Sequence, residues 1–140
     1  MKIAIISHTE HYRDSSGKIR GWGPTIKEIN KLAVVSNSIV HIAPFHNGNA
    51  PDSSLSYSAK NINYLPLRPS GGKGLLKLSI FLTAPYNLYM IYKALKSVDF
   101  IQFRAPTGMG LYVLPFLRLF YDSKYWIKYA GNWKDEKMPL

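Results

Sequence analysis

The first third of the chain constrains the fold most strongly. Residues 2–7 (KIAIIS) are an apolar run that predicts a buried strand, and residues 24–36 predict a helix with Ile26 and Ile29 on its apolar side. Between them, residues 8–23 are polar and predict a loop. A strand whose carboxyl end meets a loop and the amino end of a helix is the usual beginning of an α/β ligand site.

Two alternatives remain for the start of this helix. Either Gly23 caps the helix and Pro24 takes its first position, or Thr25 and Glu28 form a capping box. The alternatives differ by two residues, and both predict an amphipathic helix that packs against a sheet through its apolar side.

The rest of the chain alternates between apolar strands and helices. Further strands are predicted at residues 38–45, 62–67, 99–103 and 124–130, further helices at 74–97 and 107–121, and a polar loop at 46–61. Continuous apolar strands separated by helices pair in parallel and are covered on both faces. We therefore predict one Rossmann-like, doubly wound α/β domain, whose strand order 3-2-1-4-5 places the first strand beside the fourth.

The reversal between the first and fourth strands predicts a ligand crevice. Ligands of doubly wound sheets bind outside the carboxyl ends of the strands at such a point, so residues 8–23, 104–110 and 131–133 should share one crevice. Arg104 follows a buried strand there and can bind a carboxylate or phosphate through two hydrogen bonds. The alternative is an arginine that extends past the sheet edge into solvent.

Five other residues are candidates for the same crevice. His8 is either a neutral histidine that bonds a substrate hydroxyl or phosphate, or a solvated loop residue. Asn132 and Trp133 predict a polar contact and a sugar-stacking ring, or a turn with a packing tryptophan. Gly21 and Gly23 predict a phosphate or sugar loop, or a plain helix entry. A dinucleotide-binding turn is disfavoured because the third glycine of that fingerprint is missing.

The sequence lacks the residues that several kinds of catalysis require. The chain has no cysteine, which excludes a thiolate metal site and a cysteine nucleophile. His8, Glu10 and His11 lie close in sequence, but two histidines and a glutamate in a loop do not define a metal site, so no metal is expected. No serine, histidine and aspartate follow the order of a nucleophile elbow. The chain therefore lacks a self-sufficient catalytic set.

The net charge of +10 favours an anionic partner, either a phosphorylated ligand, an acidic glycan, an anionic lipid surface or nucleic acid. The helix predicted at residues 74–97 is apolar nearly all round, which predicts either a buried helix kinked at Pro85 or one that lies on a bilayer. Its uncharged part, residues 78–92, is shorter than the ~20 residues needed to span. Because the amino terminus lacks a secretory signal, we expect a cytoplasmic protein, peripheral at the inner face of the membrane under the bilayer alternative.

With this organisation, the whole chain resembles the amino-terminal domain of GT-B glycosyltransferases of the large retaining group often called family 4. The resemblance rests on the order and spacing of loose motifs. They are KIAIISH at residues 2–8, the entry at 21–24 with EINKLA at 28–33, IVHIAPF at 39–45, DFIQFRAP at 99–106 and KYAGNW at 128–133.

The resemblance implies a whole enzyme of two Rossmann-like domains that bind different substrates. The first binds the acceptor and the second binds the nucleotide-sugar, and transfer retains the anomeric configuration without a metal. Gly21 and Gly23 would correspond to the glycine loop near the donor phosphates, whereas His8, Arg104 and Asn132 would line the acceptor side, with Trp133 beside them. The usual adjacent glycine pair is replaced by Gly-Trp-Gly in this chain.

The donor-binding domain of that family has no counterpart in residues 1–140, so we expect the chain alone not to transfer sugar. It would be a fragment, or a subunit that requires a donor-binding domain or subunit, and its acceptor would be a glycan or lipid-linked sugar. No permanently bound cofactor is expected, and a nucleotide-sugar only with the second domain. The alternative is a non-enzymatic module that binds anionic ligands. Nucleic acid is a disfavoured ligand because the aromatic residues fall mainly in predicted helices and strands.

Overall fold

The computed structural model describes residues 1–122 and 124–129. Within those residues the chain forms eight strands and three α-helices, with one short 3₁₀ helix before α2. In chain order the elements are β1 (Lys2–Ile6), β2 (His11–Arg13), β3 (Ile19–Trp22), α1 (Gly23–Val35), β4 (Ser38–Pro44), β5 (Ser54–Ser56), β6 (Ile62–Leu67), the 3₁₀ helix (Gly74–Leu78), α2 (Ser79–Leu95), β7 (Phe100–Ala105), α3 (Gly110–Phe120) and β8 (Tyr125–Tyr129).

Five of the strands form one parallel sheet in the order β6-β4-β1-β7-β8. Counted among these five strands alone, this is the predicted order 3-2-1-4-5, so the predicted mainly parallel α/β sheet is confirmed. β1 lies at the centre of the sheet, paired with β4 on one side and β7 on the other. All its residues except the first are buried, as expected for a parallel strand covered on both faces.

Helices cover both faces of this sheet. Successive side chains of β1 point to opposite faces. Ile3 and Ile5 pack with Ile29 of α1 on one face. Ala4 and Ile6 belong to a larger apolar cluster with α2 and α3 on the other face. The two clusters together fix the position of the carboxyl end of β1.

A second, antiparallel sheet corrects the prediction that residues 8–23 and 46–61 are loops throughout. It has the order β2-β3-β5, and β2 and β3 form a hairpin. The carboxylate of Asp14 holds the turn by accepting the backbone N–H groups of Ser16 and Lys18, and Gly17 takes a φ of +85° there. These strands are too short and too polar to show an apolar alternation, which is why the sequence predicts loops.

The structure also decides how α1 begins. It starts at Gly23 with Pro24 in its first turn and has no side-chain cap. The capping-box alternative is wrong, because Thr25 is buried and the carboxylate of Glu28 binds Arg104 instead of the helix start.

The helix predicted at residues 74–97 is divided into the 3₁₀ helix and α2. One side of α2 is buried, at Ala84, Asn87, Ile91 and Leu95. Several apolar residues on its other side are exposed, so the alternative of a fully buried helix is wrong. In the part of the chain that the structure describes, none of the helices is long and apolar enough to cross a bilayer.

Candidate functional site

A cavity of about 540 Å³ lies at the carboxyl ends of β1 and β7, where the strand order reverses. This is the position at which doubly wound sheets bind ligands, and small-molecule sites have volumes of roughly 300–1,000 Å³. We call this cavity the cleft. Its lining residues follow β1, begin α1 or end β7, and they are Ser7, His8, Thr9, Glu10, Trp22, Thr25, Arg104, Ala105 and Pro106.

The indole of Trp22 is an exposed part of the cleft wall, with 57% of the residue accessible. β3 ends at Trp22 and α1 begins at the next residue, so this junction keeps the ring out of the core. Glu10 also lines the cleft, and its carboxylate accepts a 2.6 Å hydrogen bond from the hydroxyl of Tyr12, which raises the pKa of that tyrosine. An aromatic ring near a carboxylate and threonine hydroxyls suits a ligand with apolar C–H surfaces and several hydroxyls.

His8 lies in the cleft wall and is exposed. With Glu10 it also lines a second cavity of about 280 Å³, so residues 8–10 lie between the two cavities. The other lining residues of the second cavity come from the end of β4, the turns before α2 and the start of α3, and they are Pro44, His46, Ser70, Gly71, Ile80, Thr107, Gly108 and Met109. Ligand binding by His8 stays a prediction.

Arg104 lies in the predicted position at the cleft. The residue is only 8% exposed, however, and its guanidinium forms an ion pair within the chain. Its Nη1 donates to the carboxylate of Glu28 at 3.1 Å, and the ammonium of Lys128 binds the other oxygen of that carboxylate. Partial burial favours the protonated acid, but these two cations outweigh it and hold the pKa of Glu28 below its usual range. Within the part of the chain that the structure describes, two cations share this carboxylate, which leaves a positive charge at the edge of the cleft.

Gly21 and Gly23 do not line either cavity. A Cβ added at Gly21 would lie 2.7 Å from Nε2 of His11, and one added at Gly23 would lie 2.7 Å from the backbone oxygen of Ser53. Neither glycine has a positive φ, so close packing is what requires them. Their predicted role as a phosphate loop stays a prediction.

Asn132 and Trp133, which the sequence predicts as a polar contact and a stacking ring, lie outside the described residues. The aromatic ring that the structure brings into the cleft is Trp22. The sequence offered one signal for it, a large aromatic residue between two glycines at a helix entry.

The structure separates the two histidines that suggested a metal site. His8 is exposed in the cleft wall, whereas His11 is buried and bonded to protein atoms. Among residues 1–122 and 124–129, no three His, Cys, Asp or Glu side chains are arranged to hold a metal ion.

A buried chain of hydrogen bonds lies directly behind the cleft. Its side chains come from the end of β1, from β2, from β4 and from the segment after β5. Ser7 Oγ lies 2.7 Å from His41 Nε2, and His41 Nδ1 lies 2.5 Å from the hydroxyl of Tyr57. The same hydroxyl lies 2.8 Å from His11 Nε2, and His11 Nδ1 lies 2.7 Å from the carbonyl of Thr9.

One carbonyl fixes the direction of every bond in this chain. The Thr9 carbonyl only accepts, so His11 donates from Nδ1 and accepts at Nε2 when neutral. The Tyr57 hydroxyl must then donate to His11 and accept from Nδ1 of His41. His41 therefore accepts the hydroxyl proton of Ser7, whose oxygen in turn accepts the N–H of Thr9 at 3.3 Å. The chain closes on Thr9, and all its members are neutral.

Burial keeps both histidines neutral. It lowers the pKa of His11 to about 4. Burial also holds the pKa of His41 well below 6.5, and repulsion by His11, should both rings be protonated, and by the Arg104 guanidinium acts in the same direction. Burial raises the pKa of Tyr57. The bond between Ser7 and His41 has the geometry of a nucleophile and its base, but the other ring nitrogen of His41 is bonded to the hydroxyl of Tyr57, where a catalytic triad has a carboxylate. The network is therefore suited to fixing residues 7–9 at the cleft.

Comparison with known proteins adds no relative from which a function could be carried over. Models of known protein families, curated protein sequences and solved structures contain no match to this chain. The functional assignment therefore depends on the cleft and on the residues that line it.

Proposed function

We propose that this chain is the acceptor-binding domain of a GT-B glycosyltransferase. In this proposal the cleft holds a glycan or lipid-linked acceptor, and a donor-binding domain or subunit supplies the nucleotide-sugar. The support is the strand order of the parallel sheet, the cleft at its switch point and the chemistry of the cleft wall.

The exposed indole of Trp22 in the cleft is the observation that carries the proposal. A pyranose has an apolar C–H face that packs on an aromatic ring, and hydroxyls around its edge that need hydrogen-bond partners. Glu10 and Thr9, which carry a carboxylate and a hydroxyl, line the same wall, as does the nearly buried Thr25. This combination is suited to a sugar better than to a wholly apolar or wholly charged ligand.

The charges around Arg104 favour an acceptor that carries a phosphate group. Arg104 and Lys128 share the single carboxylate of Glu28, which leaves a positive charge beside the cleft. A phosphate or pyrophosphate next to the sugar would complement that charge, because guanidinium groups bind phosphate oxygens strongly. A lipid-linked sugar carries such a group, which favours it over a neutral glycan.

Sugar binding is tested by titrating the chain with neutral oligosaccharides and with pyrophosphate, followed by tryptophan fluorescence and amide NMR shifts. We expect oligosaccharides to shift the amides of Thr9, Thr25 and Ala105. Trp22→Ala should weaken their binding on the order of tenfold, and Trp22→Phe should keep most of it because a ring remains. Trp126→Phe is the control, because Trp126 does not line the cleft.

A different result would favour the alternative function, a non-enzymatic module for anionic ligands. In that case pyrophosphate binds, oligosaccharides do not, the affinity falls steeply with salt, and Trp22→Ala has no effect. Catalysis is tested separately by adding a donor-binding domain of a GT-B glycosyltransferase in trans. Persistent inactivity with every nucleotide-sugar tried would count against the transferase.

A further inference from the structure

The outer side of the 3₁₀ helix and α2 carries large apolar side chains that face solvent. Leu75 and Leu82 are 85% and 82% exposed. We call this surface the outer face, and its exposed apolar members are Leu75, Leu76, Leu78, Phe81, Leu82, Tyr86, Tyr89 and Tyr92. Soluble monomers rarely expose large contiguous apolar patches unless the patch contacts a partner or a membrane.

The outer face belongs to a helix whose opposite side is fixed in the core. Ile91 and Leu95 are buried in the large apolar cluster. Asn87 is also buried. Its side-chain amide accepts a 2.9 Å hydrogen bond from the backbone N–H of Arg68 and donates a 3.1 Å hydrogen bond to the backbone carbonyl of Arg68. Members of the outer face such as Leu78, Leu82 and Tyr86 recur four residues apart, which places them on one side of the helix. The exposed apolar residues are thus held in place by the core.

The charged residues of the segment that carries the outer face have one sign. Between Asp52 and Asp99 the sequence contains no acidic residue. Lys73 and Lys77 lie at the amino end of this face, and Lys93 and Lys96 lie at its carboxyl end. A surface that is apolar in the middle and basic at both ends is complementary to an apolar layer bounded by negative charge.

Each tyrosine of the outer face is paired with a cation. The guanidinium of Arg68 lies 3.9 Å from the ring centre of Tyr86. The ammonium groups of Lys93 and Lys96 lie 5.5 and 4.8 Å from the ring centres of Tyr89 and Tyr92. Tyrosine has an apolar body and a polar tip, and it is enriched where hydrocarbon meets lipid headgroups. Lysine can extend its ammonium from that depth to a phosphate.

We propose that the outer face docks the protein on an anionic lipid membrane. Leu75, Leu78, Phe81 and Leu82 enter the boundary between headgroups and acyl chains, the tyrosines lie at headgroup level, and the lysines bind lipid phosphates. The helix lies in the membrane plane and does not span it. A lipid surface fits better than a protein groove, because lysines border the apolar side chains at both ends and each tyrosine of the outer face lies next to a cation.

The test is co-sedimentation of the full chain with vesicles at low salt, using phosphatidylcholine alone or mixed with phosphatidylglycerol. We expect binding to the mixed vesicles, weaker binding to the neutral ones, and a loss of binding as salt is raised. The double variant Phe81→Ser with Leu82→Ser should bind mixed vesicles on the order of tenfold more weakly, because two inserting side chains are lost. Lys73→Glu with Lys77→Glu should lose affinity for mixed vesicles on a similar order.

Matched controls come from α1, which has exposed apolar residues and exposed lysines outside the outer face. Val34 and Val35 are 85% and 74% exposed, so Val34→Ser with Val35→Ser removes comparable apolar surface and should leave vesicle binding unchanged. Lys27→Glu with Lys31→Glu makes the same charge change on that exposed side of α1 and should have a smaller effect than the Lys73 and Lys77 change. Circular dichroism of every variant confirms that it is folded.

Three results would overturn the proposal. The first is no binding to phosphatidylglycerol vesicles at low salt. The second is equal binding by the parent and the Phe81 and Leu82 variant. The third is a dimer in analytical ultracentrifugation that this variant dissociates while vesicle binding is absent, which would make the outer face an interface between copies of the chain. The assay contains no sugar, so its failure and a failure of sugar binding are separate results.

Discussion

Lowering the pH from 7 to 5 is expected to reduce the free energy of unfolding by about 2 kcal/mol through His11 alone. The pKa of His11 is about 4 in the fold, against 6.5 for an unperturbed histidine. Between these values the unfolded chain binds a proton that the folded chain does not, so acid favours unfolding. The stabilisation is complete above pH 6.5 and is lost as the pH falls toward 4. His41 is also lowered and adds to the loss.

Urea denaturation at pH 7 and pH 5, followed by circular dichroism, measures this effect. His41→Gln should be less stable than the parent at pH 7, because the hydrogen-bond chain is broken, yet its stability should fall less between pH 7 and 5. His8→Gln is the control for the loss at pH 7, since His8 is exposed in the cleft wall and lies outside the hydrogen-bond chain, so this variant should have the parent's unfolding free energy there. Equal unfolding free energies of the parent at the two pH values would contradict the buried, neutral network. NMR titration of the His11 ring provides the same answer without a variant.

Gly21→Ala is expected to destabilise the protein by about 2–3 kcal/mol. The new Cβ would lie 2.7 Å from Nε2 of His11 and 3.0 Å from Cδ1 of Ile26. Both neighbours are buried, so neither can move aside freely. Moving the His11 ring would also lengthen its bond to the hydroxyl of Tyr57. Urea denaturation of the variant and the parent at pH 7.5 measures the loss.

Gly110→Ala is the matched control for this substitution. Its nearest contacts would be ordinary, 3.5 Å from Leu114 and 3.7 Å from Phe103, and alanine favours a helix more than glycine does. Its stability should therefore equal or exceed that of the parent. A Gly21→Ala protein with the parent's stability would contradict close packing as the reason for glycine at this position.

The main sheet could be predicted from the sequence because its three inner strands are mostly buried on both faces. β1, β4 and β7 appear as short apolar runs, and the rules for right-handed crossovers leave few arrangements of them. The position of the cleft follows from the strand order alone. The candidates His8 and Arg104 were found because each follows a buried strand at that edge.

The network behind the cleft could not be predicted, because its side chains come from separate parts of the chain. Ser7 and His41 are separated by 34 residues and His11 and Tyr57 by 46. In the sequence, His41 is the one ionisable residue inside an apolar run that predicts a strand. This polar interruption was the only sequence signal that the strand contributes to a buried hydrogen-bond network. Similarly, an apolar pattern all round α2 could not tell a core helix from one with an exposed apolar side, since only burial distinguishes them.

The central position of β1 also affects how the chain emerges during synthesis. β4 ends at Pro44 and can pair with β1 early, but β7 begins only at Phe100. At about 5–20 residues per second, the segment between them takes roughly 3–11 s to make. During that time the other edge of a strand that is apolar after Lys2 is unpaired, which is the condition that promotes aggregation of nascent chains. Faster synthesis of this segment, or a chaperone that covers the unpaired edge, should therefore increase the yield of folded protein.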